Sequence, residues 1–517
     1  MREQFERNKR LLCVALLSAV VWGLAAHGYG FLNNSFSHDS LTEFDGADWS
    51  NTWKIMLGRF LVPVYKSVFR TELSLPWMIG LMALLWCGLA VFLVGKIFRM
   101  KSECLVFATA GIFAVNLTSV ATASTYLHDF DCNMFALLCA VGAVWCWQSG
   151  KVKNLLLGAA AIALSLGIYQ SFLSVTIVLV MFVCILALLD GEPFHSVFFR
   201  GLKAIGMILL GGILYYGLMQ LVLAATGIGL SSGESNSLDR ALSLTPYAIL
   251  KLTVYCYYDC AAWLWKAFSV YPGWLTKGIT VLLIGIVAAA GVKALCEKKI
   301  GWKEKLLGVA LVALLPLGMN LMYVLTDGAV HYLMVYAVWL TYLLALLLAQ
   351  WLGDQGNNRK VKKLMEMGSL ALVCVLLYGN VQTANALHLK KDMEQDAFHS
   401  MMTRIVYRME DCDGYVSGET PVVFVGRPEQ LSEVLPGFET YTGITGQHQV
   451  EAADTRINYR ISRYFRYVLG TKDITANDEC WNAMQTDPRV EAMPRYPADG
   501  CTAMIDGVLV VKLGENE

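Results

Sequence analysis

The run LLLGAAAIALSLGIYQSFLSVTIVLVMFVCILALL, Leu155 to Leu189, decides the fold because it holds no charge and is too long for one membrane helix. As a single helix it would extend roughly 50 Å at 1.5 Å per residue, while a bilayer's hydrocarbon core is about 30 Å thick. It therefore reads as two spans broken at Gly167-Ile168-Tyr169-Gln170. Working outward, apolar runs of similar length recur from Leu11 to about Leu387. The first, Leu11 to Leu32, follows Arg2, Arg7, Lys9 and Arg10; its length and the missing small-x-small cleavage site favour a retained anchor over a signal peptide. About eleven spans are expected, an all-α polytopic membrane protein over residues 1–387.

Composition agrees. Of 517 residues, 56% are hydrophobic and 16% charged, with a mean hydropathy of +0.50, more apolar surface than a soluble core absorbs. A formal net charge of zero gives no basic face for a nucleic acid. No Gly-rich phosphate loop or zinc-type cysteine spacing is present. Most of the cysteines, among them Cys13, Cys87, Cys104, Cys139, Cys146, Cys184 and Cys374, lie inside apolar runs, where they act as small hydrophobes.

The short loops orient the chain. Lys96, Arg99 and Lys101, then Lys151 and Lys153, Arg200 and Lys203, Lys298 to Lys305, and Arg359 to Lys363 all fall on the amino-terminal side, which is thereby cytoplasmic. Links near Leu127 to Phe130, at Tyr169-Gln170 and near Thr326 to Val330 carry no Lys or Arg. The first external loop breaks the pattern with Lys54, Arg59, Lys66 and Arg70, and basic residues kept on that side point to a task beyond topology.

From His388 the chain turns polar. A helical segment over about Leu389 to Met409, a β-like Pro421 to Val425, a basic amphipathic stretch from Arg456 to Tyr467 and a strand candidate at Val508 to Lys512 predict a small α/β domain over 388–517. An odd span count puts it outside, where Cys412, Cys480 and Cys501 could supply one disulfide.

On this topology the unusual polar residues gather on the outer side: His38, Asp39, Asp45, Asp48 and Arg59 in the first loop; Tyr126, His128, Asp129 and Asp131 in the second; Tyr169 and Gln170 in the third; and His331 at the start of a later helix. Convergent ionisable groups at a membrane border are a functional candidate. Each has a plainer reading. Asp129 or Asp131 could cap the following helix, Arg59 could snorkel, Tyr169 could join an aromatic belt, His331 could be structural, and Asp45 and Asp48 read as loop solvation.

The segments His38-Asp39-Ser40-Leu41, Gly58-Arg59-Phe60-Leu61-Val62-Pro63-Val64-Tyr65, Leu75-Pro76-Trp77-Met78-Ile79-Gly80-Leu81, Thr125-Tyr126-Leu127-His128-Asp129-Phe130-Asp131 and Ser165-Leu166-Gly167-Ile168-Tyr169-Gln170-Ser171-Phe172 resemble, in order and spacing, the bacterial O-antigen-type glucosyltransferase II family. The likeness is densest over the first 190 residues and continues more faintly through His331 to Tyr336 and into the polar tail. It implies a GT-C membrane glycosyltransferase that moves a hexose, glucose in the family's pattern, from a polyprenyl-phosphate carrier to a cell-envelope glycan. It further implies an essential acid in the first external loop, which Asp39 matches. A single acid stands there, behind His38, rather than a pair.

The chemistry of the residues fits that expectation. Asp39 is the candidate general base for the acceptor hydroxyl. Arg59, His128 and His331 are candidates to answer the charge of the departing lipid phosphate. A monophosphate leaving group asks for no metal, so no cofactor is expected, and a single displacement predicts inversion. Asp129 and Asp131 would bind sugar hydroxyls or orient His128, with Tyr169 and Gln170 lining the pocket. Donor synthesis and flipping would need separate proteins. The rivals are a lipid-linked sugar flippase, which would call for ionisable groups at the midplane and for internal repeats, and an envelope glycan ligase or polymerase sharing the same external site.

Overall fold

The computed structural model describes residues 2–37, 40–45, 47–71, 74–231, 244–265, 273–355, 359–426, 456–472 and 474–514. Its helices are α1 (Arg2–Leu32), α2 (Ala47–Met56), α3 (Leu61–Phe69), α4 (Pro76–Ile97), α5 (Glu103–Ala114), α6 (Leu117–Thr125), α7 (Phe130–Gln148), α8 (Val152–Ile168), α9 (Leu173–Leu189) and α10 (Phe194–Thr226). There follow α11 (Pro246–Trp265), α12 (Gly273–Cys296), α13 (Trp302–Met319), α14 (Leu321–Leu325), α15 (Thr341–Asp354) and α16 (Arg359–Glu410). Among the described residues eight helices are long and apolar enough to cross a bilayer, and nine if the bent pair α5 and α6 makes one span. The protein is a helical membrane protein.

Breaks in the helices fall where the sequence offers something to satisfy the freed backbone. Helix α8 ends at Ile168, Tyr169 takes an extended conformation, and a 3-10 turn, Gln170–Phe172, leads into α9. The expected break in the Leu155 to Leu189 run is therefore present. Between α5 and α6 the axis bends by 47°. There the Asn116 side chain donates to the carbonyls of Ile112 (2.8 Å) and Phe113 (3.2 Å) and accepts from the Ser119 amide (3.0 Å), replacing lost helical bonds. His331 begins no α-helix; it caps a 3-10 turn, Tyr332–Met334, by accepting from the Leu333 amide at 3.4 Å. That segment is tied to the bent pair by the Thr118 hydroxyl donating to the Tyr332 carbonyl (2.6 Å) and the Tyr336 hydroxyl donating to the Phe113 carbonyl (2.8 Å).

The chain divides into two compact units. The first comprises Met1–Leu32, Asn51–Ala123 and Leu127–Asn385. Its helices approach closely over glycines: a Cβ on Gly88 would lie 3.0 Å from the Leu16 Cα, and one on Gly211 would lie 2.9 Å from the Ala159 carbonyl oxygen. In a bilayer such small residues let backbones touch and gain dispersion contacts that lipid tails would not supply.

The second unit gathers Asn33–Ser50, Ser124–Tyr126 and Ala386–Glu517. Four strands, β1 (Pro421–Val425), β2 (Ile474–Thr475), β3 (Thr502–Ile505) and β4 (Val508–Lys512), form one sheet in the order β2-β1-β4-β3. Strand β1 runs parallel to β2 and β4, and β3 pairs antiparallel with β4. The β3–β4 link, Asp506-Gly507, has positive φ at both residues (50° and 79°), the type I′ geometry that Asp-Gly favours. Phe398, Met402 and Ile405 of α16, with Tyr464 of α17 (Arg456–Tyr464), pack on one side against Val422, Phe424, Leu509 and Val511. Trp481 and Met484 of α18 (Asp478–Gln485) and Val490 of α19 (Pro488–Glu491) cover Val423, Val425 and Val510 on the other. Both strands read from the sequence are present.

Two expectations are corrected here. The helix expected from Leu389 to Met409 is the end of one 52-residue helix that begins at Arg359. Neither glycine nor proline occurs after Gly379 within it, so a change to polar composition does not interrupt the backbone ladder. All fourteen cysteines are unpaired. Cys412 packs with the α16 side of the sheet and Cys480 with the α18 side, so the sheet stands between them.

Candidate functional site

The centre of the first unit's polar end is the turn after α2. The Gly58 amide donates to the Ile55 carbonyl (2.9 Å) and the Arg59 amide to the Lys54 carbonyl (2.8 Å), with Gly58 at φ 73°, a left-handed helix end that suits glycine. The Gln170 side chain donates to the Leu57 carbonyl (3.0 Å), and the Tyr215 hydroxyl donates to the Gly58 carbonyl (3.2 Å). Gly167 completes the fit, since a Cβ there would stand 2.6 Å from Leu61 Cδ1. The Gly58-Arg59-Phe60 and Gly167-Ile168-Tyr169-Gln170 motifs, distant in sequence, thus pack on one another.

Their packing lays the Arg59 guanidinium 4.6 Å over the centre of the Tyr169 ring, a cation–π contact. Arg59 Nε is buried and has no hydrogen-bond partner among the described residues. A permanent cation with an unused donor, held on an aromatic face in low dielectric, is suited to receive an anionic oxygen.

The remaining basic residues of that loop are held by the two aspartates. Asp131, fully buried, takes a two-point contact from Arg70, with Nε to Oδ2 at 2.7 Å and a terminal nitrogen to Oδ1 at 3.2 Å. Asp129 pairs with Lys54 and, at 3.3 Å, with Lys66, both buried. Asp129 occupies the cap position of α7 but makes no side-chain cap bond, so the capping role is not what its carboxylate serves. His128, half-buried, brings Nε2 to 3.8 Å from Asp129, and its carbonyl accepts from Arg70.

His331 is itself exposed, yet the protein packed around its ring, and after it the Arg59 charge, push the imidazole down to about 4. At neutral pH it is uncharged and offers hydrogen bonds only. Of the three groups expected to answer a phosphate's charge, Arg59 is the one whose cation is permanent.

His38 and Asp39 lie outside the described residues, as do the side chains of Asp45 and Asp48. Tyr126 is half-buried and belongs to the second unit. The structure therefore brings together Arg59, Tyr169 and Gln170, with His331 within reach of the Arg59 charge, and sets His128, Asp129 and Asp131 among Lys54, Lys66 and Arg70. Sequence reading singled out Lys54, Lys66 and Arg70 as misplaced basic residues without finding their partners. It missed Tyr215, which stands in a largely apolar helix with no charged residue near it to mark it.

No curated protein and no solved structure matches the chain. A family model described as Glucosyl transferase GtrII matches residues 28–342, more than half of its length. The matched span contains Arg59, Tyr169, Asp129, Asp131 and His331, and the chain belongs to the GtrII glucosyl transferase family.

Proposed function

We propose that this membrane glucosyltransferase takes glucose from a polyprenyl-phosphate carrier and transfers it, with inversion, to a cell-envelope glycan at the outer face of a bacterial plasma membrane. The observation that supports the donor assignment is the Arg59 guanidinium over the Tyr169 ring, its buried Nε without a hydrogen-bond partner among the described residues. A lipid phosphate leaves as a monoanion or dianion, needs no general acid, and is stabilised by a preorganised cation in a water-poor site. Asp39 is the base that takes the proton of the acceptor hydroxyl, and Gln170 and Tyr169 line the sugar pocket.

Eleven crossings follow when the bent pair, α8 and α13 are added to the eight long apolar helices, with α11 left uncrossed. The short loops rich in Lys and Arg then lie on the amino-terminal side, inside, with the first external loop as the exception, and the polar ends described above lie outside. Synthesis of the lipid donor and its flipping belong to other proteins.

The test is transfer by the purified protein in nanodiscs, from a short-chain polyprenyl-phosphate glucose and from a nucleotide glucose, to envelope glycan prepared from the source cells. Transfer from the lipid donor alone, with inverted anomeric configuration and unchanged by EDTA, is the expected outcome. Activity lost in EDTA and restored by magnesium or manganese would make the aspartates metal ligands instead. Donor translocation without transfer would favour the flippase.

A further inference from the structure

Residues Asn33–Ser50, which carry the assigned base, belong to the same compact unit as Ala386–Glu517, although the family match ends at residue 342. The contacts that join them are specific. Gln395, on α16, holds the backbone of the segment at two points: its Oε1 accepts from the Phe36 amide at 2.7 Å and its Nε2 donates to the Asn34 carbonyl at 3.0 Å. A carboxamide carries its acceptor oxygen and its donor nitrogen on separate atoms of one planar group, so it can do both at once. Next along the chain, the Ser37 amide donates to the Ser40 hydroxyl (3.0 Å), the two hydroxyls lie 2.7 Å apart, and the Ser40 amide donates to the Ser37 carbonyl (3.1 Å). Beyond that staple Leu41 is 1% exposed, buried in the core with Phe398, Met402 and Tyr464, while Phe44 packs on Tyr467 with ring centres 5.6 Å apart.

Both described flanks of His38-Asp39 are thus fixed by the carboxyl-terminal unit, the earlier one by Gln395 and the later one by an apolar anchor. We infer that this unit belongs to the catalytic machinery as its scaffold and that Gln395 is a positioning residue for the base loop. The inference rests on the reading of Asp39 as base. Chemistry at a single carboxylate is sensitive to sub-ångström placement, and a misplacement of about 1 Å can cost roughly 100-fold in rate. A backbone clamp on the approach to that carboxylate is therefore a device for rate and not for donor affinity.

The experiment compares Gln395→Ala, Gln395→Glu and Asp39→Asn in the full-length protein in nanodiscs. Each is assayed with short-chain polyprenyl-phosphate glucose and source-cell envelope glycan, and amide hydrogen exchange is followed by mass spectrometry. Gln395→Ala should lower kcat roughly 10- to 100-fold with the donor KM unchanged. It should speed exchange in the peptide containing Phe36 while peptides from β1 and β4 keep wild-type protection. Gln395→Glu, which keeps the acceptor for the Phe36 amide and loses the donor to Asn34, should fall between the two. Wild-type kcat and exchange in Gln395→Ala, with transfer abolished in Asp39→Asn, would overturn the inference and leave the reading of Asp39 intact. Full transfer by Asp39→Asn would overturn that reading, and the inference with it. Faster exchange over the sheet as well as the loop in Gln395→Ala, with KM raised alongside lower kcat, would make Gln395 merely structural and also overturn it.

Discussion

Asp131 and Arg70 form the tightest commitment in the first unit, a two-point ion pair with neither side chain open to solvent. Removing one member leaves the other charged and buried, which costs about 3–5 kcal/mol. Asp131→Asn should therefore lower thermal stability strongly in a detergent melt, and Asp131→Leu combined with Arg70→Met should recover much of the loss, because an apolar pair of similar volume carries no desolvation penalty. If the single variant melts like wild type, the pair contributes nothing to folding. Asp39 differs in kind. As a base it should be expendable for folding and indispensable for turnover, so Asp39→Asn should lose roughly 100-fold or more in transfer with unchanged expression. Asp45→Asn and Asp48→Asn, read as loop solvation, should each lose less than about tenfold, a barrier change near 1.4 kcal/mol. Near-full turnover by Asp39→Asn with abolition in Asp129→Asn would move the base to the second loop.

At the scale of elements, the packing of α1 on α4 depends on the absence of a side chain at Gly88, where a Cβ would meet the Leu16 backbone at 3.0 Å. Backbone cannot step aside as a flexible side chain can. Gly88→Val should force the two helices apart and destabilise the fold by about 1–3 kcal/mol, read as a lower melting temperature with the donor KM of the surviving protein unchanged. Gly285, with open space around it, is the control: Gly285→Val should melt close to wild type. Equal losses at both positions would show that glycine at Gly88 serves helix chemistry in general and not this contact.

For the whole molecule, the topology proposed above places the sheet-bearing carboxyl-terminal unit outside. Asp499 has a fully solvent-open side chain, so a cysteine substituted there reports the side directly. An impermeant maleimide should label Asp499→Cys in intact, wall-stripped cells above the background of the parent protein. Labelling that requires lysis would reverse the topology and remove the external site with it.

The sequence alone determined the membrane class, the split of the Leu155 to Leu189 run, both main strands and the family. These rest on apolar run length, on β-branched stretches and on local motif order, which are properties of short windows. It also marked Lys54, Arg59, Lys66 and Arg70 as out of place, because charge near a bilayer is costly wherever it stands. Only the tertiary structure decided what they do. Among the described residues Lys54 and Lys66 meet Asp129, Arg70 meets Asp131, and the Arg59 guanidinium lies on the Tyr169 ring with Nε unused. Those contacts join residues more than sixty positions apart, and the one between Arg59 and Tyr169 rests on close approach at Gly167 and a turn at Gly58. The same holds for the helix after Gly379, which continues as one element through a change in composition because nothing in the backbone stops it. Local chemistry writes each element into the sequence; which charge finds a partner is fixed only when packing brings the elements together.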